Sequence, residues 1–189
     1  MKLFIASDIH GSARFCGELQ KRVEEEKPDQ IVLLGDLLYH GPRNDLPEGY
    51  APKEVIAMLS AYQDRILAVR GNCEAEVDQM VLPFPCMSDY AWLRVDGLSI
   101  YATHGHLWNP EHLPPLQPGT VFLFGHTHRK MARWVGDILT LNPGSVSIPK
   151  DAGRGYLVYQ NGFFQWKRLD GAVLHSLAAS ERSALPWED

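Results

Sequence analysis

The stretch Lys2-Leu3-Phe4-Ile5-Ala6-Ser7-Asp8-Ile9-His10-Gly11, KLFIASDIHG, decides the reading of this chain. Its apolar run is short and unbroken, which reads as a buried strand, and it ends abruptly in Asp-x-His-Gly, which reads as a loop. A carboxylate and an imidazole therefore stand just past a strand end. The rest of the chain repeats this arrangement. Gln30 to Leu34 is a second strand, followed by Gly35-Asp36. Arg65 to Arg70 is a third, followed by Gly71-Asn72-Cys73-Glu74. Leu98 to Thr103 runs into His104-Gly105-His106, and Val121 to Phe124 runs into Gly125-His126-Thr127-His128.

The connections differ along the chain. Ser12 is placed to cap a helix reaching about Lys27, with Phe15, Leu19 and Val23 at every fourth position and Pro28 beyond its end. His40 to Pro52 holds three prolines and two glycines and reads as a long loop. Lys53 to Tyr62 has helical spacing at Val55, Ile56 and Leu59, and Glu74 to Met80 reads as a short helix. After Pro85 the pattern changes to hairpins. Ala91 to Val95 and Leu98 to Thr103 flank Asp96-Gly97, and further turns fall at Gly136-Asp137, Asn161-Gly162 and Asp170-Gly171. Helical units followed by hairpins predict an α/β protein with two sheets face to face and helices outside. One domain over residues 1–178 is expected, with a tail over 179–189.

Composition narrows the function. The chain has 189 residues, 45% hydrophobic and 22% charged, with a formal net charge of -5. That balance disfavours broad binding to a nucleic-acid duplex, which needs a basic face. Cys16, Cys73 and Cys86 are odd in number and lack C-x-x-C spacing, so neither a disulfide framework nor a zinc ribbon is indicated. No signal-peptide core or membrane-spanning run is present, and a cytoplasmic protein is expected.

In open α/β sheets, ligand sites lie off the carboxyl ends of strands. Three oxygen donors (Asp8, Asp36, Asn72) and four imidazoles (His10, His104, His126, His128) share that address here. They are too many for one tetrahedral ion and suit two ions sharing a bridging carboxylate. No thiolate is required, so Mn²⁺, Fe²⁺ or Zn²⁺ fits the donor set, with Mn²⁺ the first expectation. Taken alone, Asp-x-His reads as a cap, Gly-Asp and GHTH as turns, and His104 as a core histidine. Turns do not account for their joint occurrence at five strand ends.

The blocks DIHG (8–11), GD (35–36), GNCE (71–74), THGH (103–106) and GHTH (125–128) resemble the calcineurin-like metallophosphoesterases. HGPRNDLPEGYAP (40–52) and LNPGSVSIPK (141–150) are similar to that family's small bacterial phosphodiesterases. The resemblance implies a four-layer αββα sandwich of two mixed sheets flanked by helices. It implies that Asp8, His10 and His128 hold one metal, that Asn72, His104 and His126 hold the other, and that Asp36 bridges. Asp36, Asn72 and His106 become the catalytic candidates, in a metal-assisted hydrolysis of small phosphodiesters. Many relatives carry a histidine where this chain has Cys73. A thiol is a weak donor, so Cys73 is read as a small semi-buried residue, and His106 and His40 become alternative proton donors. Arg43 and Asn44 are candidate substrate contacts. A phosphomonoesterase, a nucleotide pyrophosphatase and a non-catalytic scaffold are the competing readings, and a homo-oligomer is compatible with the exposed-strand aromatics.

Overall fold

The computed structural model describes residues 1–182. Two mixed sheets pack face to face. The first contains β1 (Leu3–Ala6), β2 (Gln30–Leu33), β3 (Ile66–Ala68), β9 (Gly155–Gln160), β10 (Phe163–Arg168) and β11 (Val173–Ala178), in the order β11-β10-β9-β1-β2-β3. The second contains β4 (Tyr90–Val95), β5 (Leu98–Thr103), β6 (Val121–Leu123), β7 (Lys130–Val135) and β8 (Ile138–Pro143), in the order β4-β5-β6-β8-β7. Each sheet contains three parallel strands side by side: β1, β2 and β3 at one edge of the first, β5, β6 and β8 in the middle of the second. Their carboxyl ends therefore open on one side.

The unbroken apolar run of β1 has a direct cause. Strand side chains alternate between faces. Leu3 and Ile5 enter the core between the two sheets, with Val32, Ile100, Leu123, Leu157 and Trp166. Phe4 and Ala6 enter a second core beneath α1 (Ala13–Glu26) and α2 (Pro52–Ser60), with Phe15, Leu19, Val23, Val55 and Leu59. Both faces of β1 are thus buried. Ser12 caps α1 as its position predicts, accepting from the Phe15 amide at 3.3 Å, and Lys27 ends the helix in a left-handed conformation. A short α3 (Glu76–Val81) follows the third strand.

The hairpins form where the sequence places them. Asp96-Gly97 and Asn161-Gly162 have positive φ at both positions, the type I′ geometry that matches strand twist. The outer face of the second sheet is closed differently from the first. Tyr101, Phe122, Phe124 and Ile138 are covered by Trp108, Leu113 and Leu116 from the proline-rich connection between β5 and β6. The helices flank the first sheet, and this coil forms the fourth layer. Trp166 is wholly buried and donates to the Asn142 carbonyl at 2.8 Å. The expected tail begins as an anchored segment: Ala179 N–H reaches the Gly162 carbonyl at 2.8 Å and Trp134 Nε1 reaches that of Glu181 at 2.9 Å. Its part over 183–189 lies outside the described residues.

Candidate metal centre

Each donor group sits in the first residues past a strand, and the loops that carry them are zipped together through the backbone. Asp8, His10 and Gly11 donate their amides to the carbonyls of Gly35, Asp36 and Leu37 at 3.1, 2.8 and 2.9 Å. The Gly125 amide reaches the His104 carbonyl at 2.7 Å. Asp8, His10, Asp36, His126 and His128 all have φ between 49° and 64°. Non-glycine residues adopt this left-handed region at a cost of roughly 1–3 kcal/mol each, and such strain clusters at functional sites. Glycine is required where loops touch: a Cβ on Gly71 would lie 2.6 Å from the Asp36 amide nitrogen.

The side chains converge on two adjoining points. Around the first, His128 Nε2 lies 3.2 Å from His10 Nε2 and 3.2 Å from Asp8 Oδ1. Around the second, His104 Nε2 lies 3.2 Å from both Asn72 Oδ1 and His126 Nδ1. Asp36 Oδ2 stands between them, 3.7 Å from His10 Nε2 and 3.4 Å from His104 Nε2. Asp8, His10, Asp36, His104 and His128 are buried, His126 is half-buried and Asn72 is exposed, so the centre opens on the Asn72 side.

The tautomers follow from the partners. His10 Nδ1 faces the Tyr39 carbonyl at 2.8 Å, His104 Nδ1 that of Leu34 at 2.6 Å, and His128 Nδ1 that of Ile148 at 2.7 Å. A carbonyl only accepts, so each Nδ1 carries a hydrogen and each Nε2 faces inward as the atom that takes a proton or a cation. Facing lone pairs repel unless a proton or a cation lies between them. Asp8 Oδ1 is buried facing His128 Nε2 at 3.2 Å and His10 Nε2 at 3.6 Å, and without a proton or a cation between them it is unpaired, which is costly for the same reason. Ligands about 2.1 Å from one ion lie roughly 3.0–3.4 Å apart at octahedral or tetrahedral angles, close to the spacings found here. The donor set fits divalent cations.

The other candidates are placed as follows. His106 is half-buried, its ring centroid 5.4 Å from that of His104, and its Nδ1 has no partner. Arg43 is exposed on the 40–52 loop. The Asn44 amide donates to the His40 carbonyl at 2.8 Å and so braces that same loop. Cys73 is half-buried; its amide donates to Asp36 Oδ1 at 2.9 Å, and its sulfur lies within 4.8 Å of donor atoms of His10 and Asp36.

Glu74 is the residue beside the donors that sequence reasoning passes over. Its buried carboxylate accepts from the amides of Asp36 at 2.8 Å, Leu37 at 2.7 Å and Gly71. It ties the loop of Asp36 to the loop of Asn72. The signal was its place inside GNCE, where it reads only as the start of a helix.

Residues 1–161 match the calcineurin-like phosphoesterase superfamily domain. This chain belongs to that superfamily. It is 41% identical over 185 residues to phosphodiesterase YfcE of Escherichia coli strain K12, covering 98% of this chain and 96% of the relative. The structure of Yfce, a phosphoesterase from the same species, superposes with a TM-score of 0.92 over 95% of this chain and 100% of that one, again at 41% identity. Vps29 of Entamoeba histolytica, solved in complex with Zn²⁺, shares the fold with a TM-score of 0.60 at 15% identity, over 95% and 100% of the two chains.

Without an ion, this phosphoesterase centre balances its charge with protons. Burial disfavours charge on Asp8 and Asp36, but the imidazoles of His10 and His128 beside the first, and of His104 beside the second, hold both carboxyls below their ordinary range. Burial likewise opposes a proton on His10 and His104, yet the carboxylates outweigh it: His10 is raised, and His104 reaches about 9. His126 is pushed the other way, to about 4, by burial and by His104. A cluster that draws protons onto some imidazoles while excluding them from others is set up to exchange those protons for cations.

Proposed function

We propose that this phosphoesterase is a metal-dependent phosphodiesterase that hydrolyses small phosphodiesters with two divalent cations, Mn²⁺ being the expected pair. The observation that carries this reading is the paired donor sets sharing Asp36 Oδ2. The substrate class follows the phosphodiesterase with which the chain shares 41% identity over nearly its whole length.

Asp8, His10 and His128 are assigned to one cation, Asn72, His104 and His126 to the other, and Asp36 to both. When bound, such a pair lowers the pKa of coordinated water from 15.7 towards ~7 and neutralises phosphoryl oxygens. The protein's part is orientation and exclusion. Backbone carbonyls of Tyr39, Leu34 and Ile148 fix three imidazole tautomers. Exposed Asn72 marks the side from which substrate enters. His106 is assigned to the leaving oxygen. In the metal-free centre burial, His104 and Arg70 lower its pKa, and a cation in place of the His104 proton acts in the same direction, so at neutral pH it is a neutral imidazole that donates a hydrogen bond rather than a proton. That favours esters with good leaving groups. Arg43, exposed on the adjoining loop, is assigned to the substrate's distal phosphoryl oxygens, and Asn44 to bracing that loop. Among the described residues no helix is long and apolar enough to cross a membrane, and we place the enzyme in the cytoplasm.

Metal content of protein purified without chelator, joined to turnover of an aryl phosphodiester and of the matching monoester, tests the proposal. Two equivalents of metal and diester preference are expected, with Asp36→Asn and Asn72→Ala each losing at least about a hundredfold in kcat/KM, roughly 2.7 kcal/mol of barrier. Monoester preference would select the phosphomonoesterase reading. No metal and no turnover with added Mn²⁺ would leave a scaffold.

A further inference from the structure

We propose that Lys130 and Asp151 are positioning residues for one half of the centre: their ion pair, buried on the lysine side, locks the loop 144–153, whose backbone and serine hydroxyls orient Asp8 and His128. The inference rests on the metal-dependent reading above. The pair itself lies outside the seven donor residues.

Lys130 opens β7 two residues past His128, and its side chain is 1% exposed. Its ammonium reaches Asp151 Oδ1 at 2.9 Å and also the Gly153 carbonyl. Its amide reaches Asp151 Oδ2 at 2.5 Å, so one carboxylate holds both ends of the residue. The stem passes between two glycines: a Cβ on Gly144 would lie 2.9 Å from Lys130 Cγ, and one on Gly155 3.1 Å from Cε. A buried ion pair is weak evidence of stability, because an apolar side chain of similar volume often does as well. What the pair fixes is where the loop ends, since Asp151 and Gly153 are drawn onto the strand that follows His128.

That loop bears on the donors through a short series of bonds. The Val146 amide reaches the Ser7 carbonyl at 3.0 Å. The hydroxyls of Ser145 and Ser147 donate to the Asp8 carbonyl at 2.9 and 3.1 Å. The Ile148 carbonyl accepts from His128 Nδ1 at 2.7 Å, and the Lys150 amide donates to the His128 carbonyl at 2.9 Å. These bonds converge on Asp8 and His128. His104 is held instead by Leu34, from the end of the second strand. Loosening the loop should therefore weaken one cation site and spare the other, which a general loss of stability would not do.

The test uses the full chain as Lys130→Met and as the double variant Lys130→Met with Asp151→Asn. Two readouts are taken. In metal-free protein, ring-nitrogen NMR reports the His128 tautomer, expected as the single Nδ1–H form in the native chain and as a mixture in the variants. Mn²⁺ titration calorimetry is expected to show one of two sites weakened about tenfold to hundredfold, the range for a residue that orients a ligand, and the other changed less than twofold. An unchanged tautomer, or two sites weakened alike, overturns the proposal. If the native chain takes up no Mn²⁺, the metal reading fails, while the tautomer still decides whether the pair positions His128. Where Lys130→Met does not fold, the double variant, which leaves no unpaired charge, is read by the same criteria.

Discussion

Cys73 has the residue type of a nucleophile but not the setting of one. A reactive cysteine needs a depressed pKa, supplied by a cation or a helix N-terminus. In the metal-free centre, burial and the neighbouring Asp36 carboxylate instead push this thiol up. Its amide does the local work, donating to Asp36 Oδ1 at 2.9 Å, and any side chain preserves that bond. The sulfur accepts from the Asn72 amide at 3.2 Å and packs against Gly41, where a Cβ would lie 3.1 Å away. Cys73→Ala is therefore expected to change kcat/KM by less than about threefold, a barrier change of roughly 0.6 kcal/mol. Steady-state kinetics on an aryl phosphodiester checks it. A loss beyond about a hundredfold would make the thiol a reacting group.

Among the elements, the connections decide the site more than the strands do. Glu74 shows this: three amides from two loops point at one buried carboxylate, and burial with the nearby Asp36 charge raises its pKa. Glu74→Gln replaces one acceptor oxygen with an NH₂ that faces amide donors. The expected result is a loss of about 1–3 kcal/mol for a buried group left unpaired. Thermal denaturation reads the stability, and a parallel drop in Mn²⁺ affinity would show that Asp36 and Asn72 moved apart. Glu74→Ala should be no milder, because three donors then lose their acceptor. The same elements show what the sequence could and could not yield. Strands, hairpin turns and the α1 cap are legible because periodicity, Asp-Gly and Asn-Gly pairs and Ser12 are local signals. The gathering of Asp8, Asp36 and the histidines is legible because each follows an apolar run. Three features are not. Trp108, Leu113 and Leu116 cover a sheet from a proline-rich segment with no periodicity. Glu74 bonds to the amide of Asp36, 38 residues away, and Lys130 pairs with Asp151, 21 residues away. Such partners are fixed by how loops close in space, and no local pattern marks them.

For the whole molecule, the centre couples folding, protons and metal. In the metal-free protein His104 is raised from 6.5 to about 9, so its contribution to stability is complete below pH 6.5 and is lost as pH rises through about 9. Asp8 is lowered from 3.8, so its contribution is present above that value and is lost as pH falls through its depressed folded pKa. His126, lowered to about 4, opposes folding below pH 6.5, so the metal-free chain should be most stable near pH 6.5 and weaken towards pH 9. Cation binding runs the other way. The cation must displace the His104 proton, so each step up in pH below about 9 removes a competitor and raises affinity. Metal at a hundred times its Kd stabilises by ~2.7 kcal/mol, which for a chain of this size is roughly 5–11 °C in Tm. Melting curves across pH 6.5 to about 9, with chelator and with Mn²⁺, are expected to diverge: the chelated Tm falls while the gap to the loaded protein widens. Buffers of different ionisation enthalpy should reveal proton release on Mn²⁺ binding at pH 7, largest for the event that engages His104. Parallel melting curves with no released proton would mean that the buried imidazoles of this fold do not exchange protons for cations.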